Sequence, residues 1–326
     1  MVTGSTVVCI GELLIDFVPE ENGLPLAEVP LFRKAAGGAP ANVAAAVAKL
    51  GGASRFIGKI GADPFGQFLR ETLVSAKVDP ALVETGEART GLAFVSLRAD
   101  GERDFLFYRQ PAADMLLHSS ELQDAWFADA AILHFGGVSL IHEPCRSATL
   151  AAAERARRLG ALVSYDPNVR MTLWGDDTER ARCEMLAPMA HADVVKVSEE
   201  EIHFLTGTED LLQGAHQLLE QGPQVIVATL GAEGSRFITS LADIAVPAPR
   251  VNAIDTTGAG DGFVGGLLYQ LTQWAIAPVQ IGRALADEGF VREIGRFASA
   301  VGALTTTRRG AIPALPTREE VERALD

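Results

Sequence analysis

Apolar and polar positions alternate along the chain between short continuous apolar runs and longer amphipathic stretches. Val7–Ile10 is an apolar run of strand-forming type ended by Gly11-Glu12, which predicts a strand buried on both faces. Asn42–Leu50 is Ala-rich and closes on Gly51-Gly52, the pattern of a helix with a glycine stop. Arg55–Ile60 reads as the next strand. Asp63-Pro64 then opens a helix to about Lys77, with proline at the permitted first position. Strands over Ala131–Phe135, Leu162–Tyr165, Val194–Val197 and Val225–Leu230 alternate with helices over Pro144–Leu159, Thr178–Ala190, Glu199–Leu205 and Leu211–Gln221. A strand pair near Ser235–Thr239 and Ile244–Val246 follows, then helices around Asp261–Trp274 and Phe290–Thr305 and a terminal one from Arg318. This rhythm predicts an α/β fold: a doubly wound, mostly parallel sheet with helices on both faces.

Two stretches break the rhythm. Thr90–Leu97 and Asp104–Arg109 are extended runs joined by Ala99-Asp100-Gly101-Glu102, where Asp-Gly is a strong hairpin signal and no helix intervenes. Together with short strands expected near 13–17 and 30–35, they predict a small antiparallel lid. The expected organisation is one domain over 1–326, with the lid inserted as discontinuous segments at about 13–35 and 90–109. No internal repeat, low-complexity segment or interdomain linker is apparent.

Composition narrows the function classes. The 326 residues are 48% hydrophobic and 21% charged, with a net charge of −14. Such an acidic chain is a poor partner for nucleic acid or an anionic membrane surface, yet local N–H donors can still bind a phosphate. Cys9, Cys145 and Cys183 are too few and scattered for a disulfide framework, so a reducing compartment is expected, by default the cytoplasm. The first apolar run is too short for a membrane span and has no basic leader. The six histidines show no metal-ligand spacing.

The chemistry concentrates in Asp255-Thr256-Thr257-Gly258-Ala259-Gly260-Asp261. Gly258, Ala259 and Gly260 fall at the start of an apolar helix, where unpaired N–H groups and the helix dipole favour an anion. Asp261, in the first turn, is placed to take a proton from a hydroxyl whose oxygen attacks a phosphoryl group held there. The bland alternative is a glycine turn in which Asp261 only serves the helix dipole. Other polar groups fall at the carboxyl ends of expected strands, where open parallel sheets bind ligands. These are Asp16; Gly37-Gly38 and Asn42; Gly136-Gly137; and Asp166, Asn168 and Arg170. Carboxylates and an amide beside glycines suit a polyhydroxylated ligand. Taken singly, Asp16 would pass for a turn residue and Asn42 for a helix cap.

The Asp255–Asp261 stretch resembles the second signature of the PfkB (ribokinase-like) carbohydrate kinases, and Gly37-Gly38-Ala39-Pro40-Ala41-Asn42-Val43-Ala44 resembles the first. The likeness covers essentially the whole chain. Within the family it is greatest to fructokinases, through Phe32-Arg33-Lys34, Arg103–Arg109 and Tyr165–Arg170. The resemblance implies an ATP-dependent sugar kinase with Asp261 as base and the turn at Gly258, Ala259 and Gly260 as anion hole. Asp16, Gly37, Gly38, Asn42, Asp166, Asn168, Arg170 and Arg109 would face the sugar. Thr229, Gly231 and Gly234, in a second glycine turn, would face ATP with Lys196. Glu201 would organise Mg²⁺ through water, although Ser198 stands where many relatives carry Asn and a solvated acidic helix start is the bland reading. A monovalent cation, expected to be K⁺, would lie among Asp255, Thr257, Thr305, Arg308, Gly310 and Ala314, mostly on backbone carbonyls. Fructose phosphorylated at its 6-hydroxyl is the expected reaction, and a homodimer through the exposed lid edge the expected assembly. Arg103, Arg109 and Arg170 keep a keto-acid, 2-keto-3-deoxygluconate, as the alternative, since an inward Arg suits a carboxylate. Adenosine is least expected, since no aromatic or broad apolar wall is identifiable. A catalytically silent sugar-binding regulator is the alternative outside enzymes; the intact Asp261 and anion hole oppose it.

Overall fold

A computed structural model describes residues 4–20, 23–97, 103–175, 177–274 and 276–326, the side chains of 96–97 and 103–105 excepted. In chain order the elements are β1 (Thr6–Ile10), β2 (Leu14–Pro19), β3 (Phe32–Gly37), α1 (Ala39–Lys49), β4 (Ala53–Gly61), α2 (Pro64–Ser75), β5 (Asp79–Thr85), β6 (Leu92–Leu97) and β7 (Arg103–Tyr108). There follow β8 (Ala130–Gly136), α3 (Cys145–Arg158), β9 (Leu162–Asp166), α4 (Thr178–Leu186), β10 (Val194–Ser198), α5 (Glu199–Thr206), α6 (Leu211–Leu219) and β11 (Val225–Thr229). The chain ends with β12 (Ser235–Thr239), β13 (Asp243–Val246), α7 (Ala259–Trp274), α8 (Ile281–Ala284), α9 (Glu288–Thr305) and α10 (Arg318–Leu325).

Nine strands form the main sheet in the order β13-β12-β11-β10-β9-β8-β1-β4-β5. It is parallel from β11 to β5, and β12 and β13 are antiparallel. All five residues of β1 are buried, as an apolar strand covered on both faces requires. α1, α7 and α9 cover one face, with Val43, Phe263, Leu267, Val291 and Ile294 in one cluster. α3, α5 and α6 cover the other, with Cys145, Ala152, Ile202 and Leu218. The order of strands reverses between β1 and β8, since the chain leaves β1 for β4 and β5 and returns on the other side. A crevice opens there beyond the strands' carboxyl ends. Phe135 and Tyr165 stack at 4.7 Å on β8 and β9, directly behind the residues at that crevice. Truncating either to alanine would cost about 3–5 kcal/mol.

The lid is a separate four-stranded sheet in the order β3-β2-β6-β7. Its two pairs, β2–β3 and β6–β7, are antiparallel, and a parallel contact between β2 and β6 joins them. Phe17 packs edge-on against Phe65 of α2 at 6.1 Å, tying lid to body. The turn expected at Ala99–Glu102 lies outside the described residues. β5, absent from the expected elements, pairs with β4 as the edge of the main sheet. Asp63 caps α2 as its sequence implied, its carboxylate accepting from Phe65 and Gly66 N–H. α1 starts earlier than expected, at Ala39, and α7 starts at Ala259, within the glycine turn read as its start.

Candidate active site

The crevice is a cavity of about 290 Å³ in which nearly all the predicted polar groups meet. Asp261 is the third residue of α7, behind a turn in which Gly258 takes φ +76°. That left-handed conformation favours glycine. Gly258 and Gly260 line the cavity, whereas Ala259 lines a neighbouring cleft and its N–H donates to Thr256 O at 3.2 Å. Of the three amides expected to form an anion hole, that of Ala259 is thus engaged within the turn.

Asn42 sits inside α1, not at its cap, and its Nδ2 donates to Asp261 Oδ2 at 2.8 Å. Its Oδ1 is buried without a partner. Such an acceptor costs free energy until a donor reaches it, and a ligand hydroxyl is a fitting donor. Burial pushes the Asp261 carboxyl up to about 6, against the lowering hydrogen bond from Asn42. Asp16 rises to about 7, first through burial and then through the Asp261 charge. Arg170, on the same wall, opposes both shifts.

Gly37 and Gly38 are needed for the protein's own groups. A Cβ at Gly37 would collide with the Asp16 carboxylate, and one at Gly38 with the Glu12 carbonyl. Gly38 also takes φ +119°.

Lys196 rises from the middle of β10 with Nζ 3.2 Å from Asp166 Oδ2 and 3.9 Å from Glu201 Oε2. Burial alone would lower its pKa, but the two carboxylates outweigh that and lift it to about 12. A Cβ on Gly260 would lie 3.4 Å from Nζ, which puts the ammonium beside the glycine turn. Asp166 Oδ1 also accepts from Asn168 N–H at 2.9 Å and holds that residue at φ +43°. Glu201 accepts from Val169 N–H and from Ser198 N–H, both at 2.8 Å. Ser198 accepts in return from Glu201 N–H, so the pair forms a capping box for α5. The serine at this position thus has a helix-capping task that Asn would also suit.

Arg109 does not line the cavity. Its guanidinium pairs with Asp114, both groups buried, beneath Gly91 where the lid joins the body. The reach toward the sugar expected of it is therefore not seen, because a nearby acid holds it. Arg103's side chain lies outside the described residues. Glu12 escaped the sequence reading, as did Leu14, Phe107 and Val138, which give the cavity an apolar side. Phe107 enters from the lid, whose strand alternation alone could have flagged it.

A second cleft of about 510 Å³, mostly apolar, adjoins the first, and Thr256 and Gly260 line both. Thr229, Gly231 and Gly234 line it as expected, with Ala248–Val251, Phe263 and the α9 residues Ser299, Gly302 and Ala303.

The sequence profile of the pfkB family carbohydrate kinases matches residues 5–318. The chain belongs to that family. Fructokinase-1 of Oryza sativa subsp. japonica is 48% identical over 322 residues, covering 98% of this chain and 97% of the relative. The solved fructokinase with bound ATP from Xylella fastidiosa aligns with TM-score 0.88 at 40% identity, over 98% of each chain. A cysteine double mutant of the fructokinase of Vibrio cholerae O395, bound to fructose, ADP and potassium ion, aligns with TM-score 0.87 at 35% identity over the whole of both chains.

In this carbohydrate kinase the expected cation corner is built by hydrogen bonds between two loops. Asp255 Oδ1 accepts from Thr257 N–H at 2.9 Å and from its hydroxyl at 2.6 Å, while Oδ2 accepts from Gly310 N–H at 2.9 Å. Thr305, fully buried, donates to Val301 O at 2.8 Å, and Ala314 is buried too. The Arg308 side chain points out to pair with Glu320, so only its backbone is available to the corner. No described helix is long and apolar enough to cross a membrane.

Proposed function

We propose that this kinase transfers the γ-phosphoryl group of MgATP to the 6-hydroxyl of D-fructose. The observation that carries the reading is the Asn42–Asp261 pair. A buried base held by an amide, with the amide's own oxygen unpartnered, faces a cavity that opens at Gly260 into an apolar cleft of nucleotide size.

The sugar would occupy the cavity against Asp16, Asn42 and Asn168, with its C–H face toward Phe107 and Val138. Asp261 takes the hydroxyl proton as the oxygen–phosphorus bond forms and the bond to the β-phosphate oxygen breaks. Gly258 and Gly260 N–H groups and the Lys196 ammonium meet the charge on the transferred group. The cleft takes ATP, its base among Ala248–Val251 and α9.

Mg²⁺ would come with the nucleotide. Among the described residues no cluster of three His, Cys, Asp or Glu forms a metal cage, and Mg²⁺ on phosphate oxygens needs only one or two carboxylates, reached through water. Asp166 and Glu201 line the cavity beside the anion hole and fit that role. Bound there, Mg²⁺ neutralises phosphate charge. Asp255, already bracing Thr257 against Gly310, fits a K⁺ site that stiffens the anion hole's backbone. Activity is accordingly expected to rise when K⁺ replaces a bulky organic cation at constant ionic strength. Equal rates in the two salts would remove the site.

The lid leaves Leu31, Leu106 and Tyr108 exposed and two strand edges unpaired in the order β3-β2-β6-β7. We read this as the surface of a homodimer. Sedimentation at the mass of one chain at micromolar concentration would refute it. The reaction itself is tested by incubating the protein with MgATP and fructose and locating the phosphate by NMR. Fructose 6-phosphate is expected; no ADP release with fructose would dismiss the assignment.

A further inference from the structure

Glu12 lines the sugar cavity yet has no task in the reaction described above. It is 3% exposed, and each carboxylate oxygen serves a different element. Oε1 accepts from Ala39 N–H at 2.9 Å, and Oε2 accepts from the Ser139 hydroxyl at 3.1 Å. Ala39 is the first residue of α1, and the residue before it is Gly38, which has no side chain to cap the helix. Helices normally satisfy these first N–H groups with a side chain at the cap position itself. Here a carboxylate 27 residues upstream does so, at the end of the helix where the dipole favours a negative group. The fit is close enough that the Glu12 carbonyl occupies the place of a Cβ at Gly38.

The first turn of α1 carries Asn42, and Asn42 is the residue that hydrogen-bonds Asp261. Two crossings between body and lid, 10–14 and 37–39, pass through this cluster. Ser139, the other partner, lies on the turn after β8 beside Val138 of the cavity wall.

We propose that Glu12 is a positioning residue: by capping α1 through space it sets Asn42, and through Asn42 the base Asp261, and it acts through its two hydrogen bonds. The proposal rests on the reading of Asp261 as the base, but its test is independent of that. Asp261→Asn examines the base directly, while Glu12 is read through its coupling to Asn42.

Glu12→Ala, Glu12→Gln and Ser139→Ala are each made in the wild type and in Asn42→Ala, and kcat and KM for fructose are measured. Displacing a catalytic constellation by about 1 Å costs on the order of 10²-fold. Glu12→Ala is therefore expected to lower kcat about 10²-fold with a smaller rise in KM. Glu12→Gln should recover most of that loss, because its amide oxygen accepts from Ala39 and its NH₂ donates to the Ser139 oxygen. In Asn42→Ala the further effect of Glu12→Ala should shrink to about threefold or less, since coupled residues are not additive. Glutamine as damaging as alanine would show that the charge, not the hydrogen bonds, matters, and would overturn the proposal. So would a Glu12→Ala loss undiminished in Asn42→Ala. Should Glu12→Ala fail to fold, Ser139→Ala decides: a several-fold loss of kcat that vanishes in Asn42→Ala supports the proposal, and an undiminished or absent loss refutes it.

Discussion

Asp261→Asn is expected to lower kcat by about 10²–10⁴-fold, the usual contribution of a positioned general base, while sugar affinity stays within a few-fold. Asparagine keeps the shape, and its oxygen can still accept from Asn42 Nδ2, which now reaches Asp261 at 2.8 Å; what it lacks is a site for the proton. The same residue predicts the acid limb of the wild-type pH profile. With the carboxyl pushed up to about 6 by burial, kcat/KM should fall tenfold per unit below that pH. The stability effect has the opposite sense. A carboxyl raised in the fold contributes stability below its unfolded pKa and loses it as pH rises through the folded value. Ionised Asp261 therefore works against the fold at pH 8, and Asp261→Asn should melt no lower than the wild type there. Its advantage should narrow at pH 5. Near-normal turnover in Asp261→Asn would remove the base from the mechanism.

Lys196→Met should produce the second largest effect, and it separates catalysis from support. The ammonium stands 3.2 Å from Asp166 and beside Gly260, so its loss removes charge from the anion hole. A drop of about 10²–10³-fold in kcat/KM for ATP is expected, as for deletion of an oxyanion-hole donor. The substitution also leaves Asp166 buried without its cation, which costs about 3 kcal/mol and several degrees in Tm. Adding Asp166→Asn to Lys196→Met should recover Tm but not activity. A kcat/KM for ATP within threefold of the wild type would show that Lys196 serves only Asp166.

The parallel sheet and the glycine turn were legible because their signals are local. A continuous apolar run such as Val7–Ile10 admits few other readings, and Gly258–Gly260 ahead of an apolar helix marks its own start. β5 was not legible: Asp79–Thr85 contains Pro80 and is only partly buried, as an edge strand can be, so neither alternation nor an apolar run announces it. The start of α1 was set late, at Asn42, because its cap is Glu12, a carboxylate no local pattern connects to Ala39. Arg109 was drawn toward the sugar for another reason: Asp114, only five residues on, holds it beneath the lid, and no periodic pattern pairs the two. Glu201 shows the converse. Its acid was singled out from the sequence and lines the cavity, but the backbone amides of Val169 and Ser198 that fix it depend on how β9 and β10 lie together. Local chemistry thus located the glycine turn that lines the cavity, and tertiary contacts decided which neighbours face that cavity and which hold one another.

The central claim is that this cavity, with its carboxylates, two amides and one apolar side, selects a neutral ketohexose. Its most direct test is kcat/KM for fructose, 2-keto-3-deoxygluconate, ribose and adenosine at saturating MgATP. With Arg109 engaged by Asp114, Arg170 is the described arginine on the cavity wall, and Asp16 and Asp261 lie close enough to shift with it. Fructose is therefore expected to exceed each of the others by at least about tenfold, the discrimination that one or two lost hydrogen bonds supply. A keto-acid value tenfold above that for fructose would contradict the account and make Arg170 a carboxylate clamp.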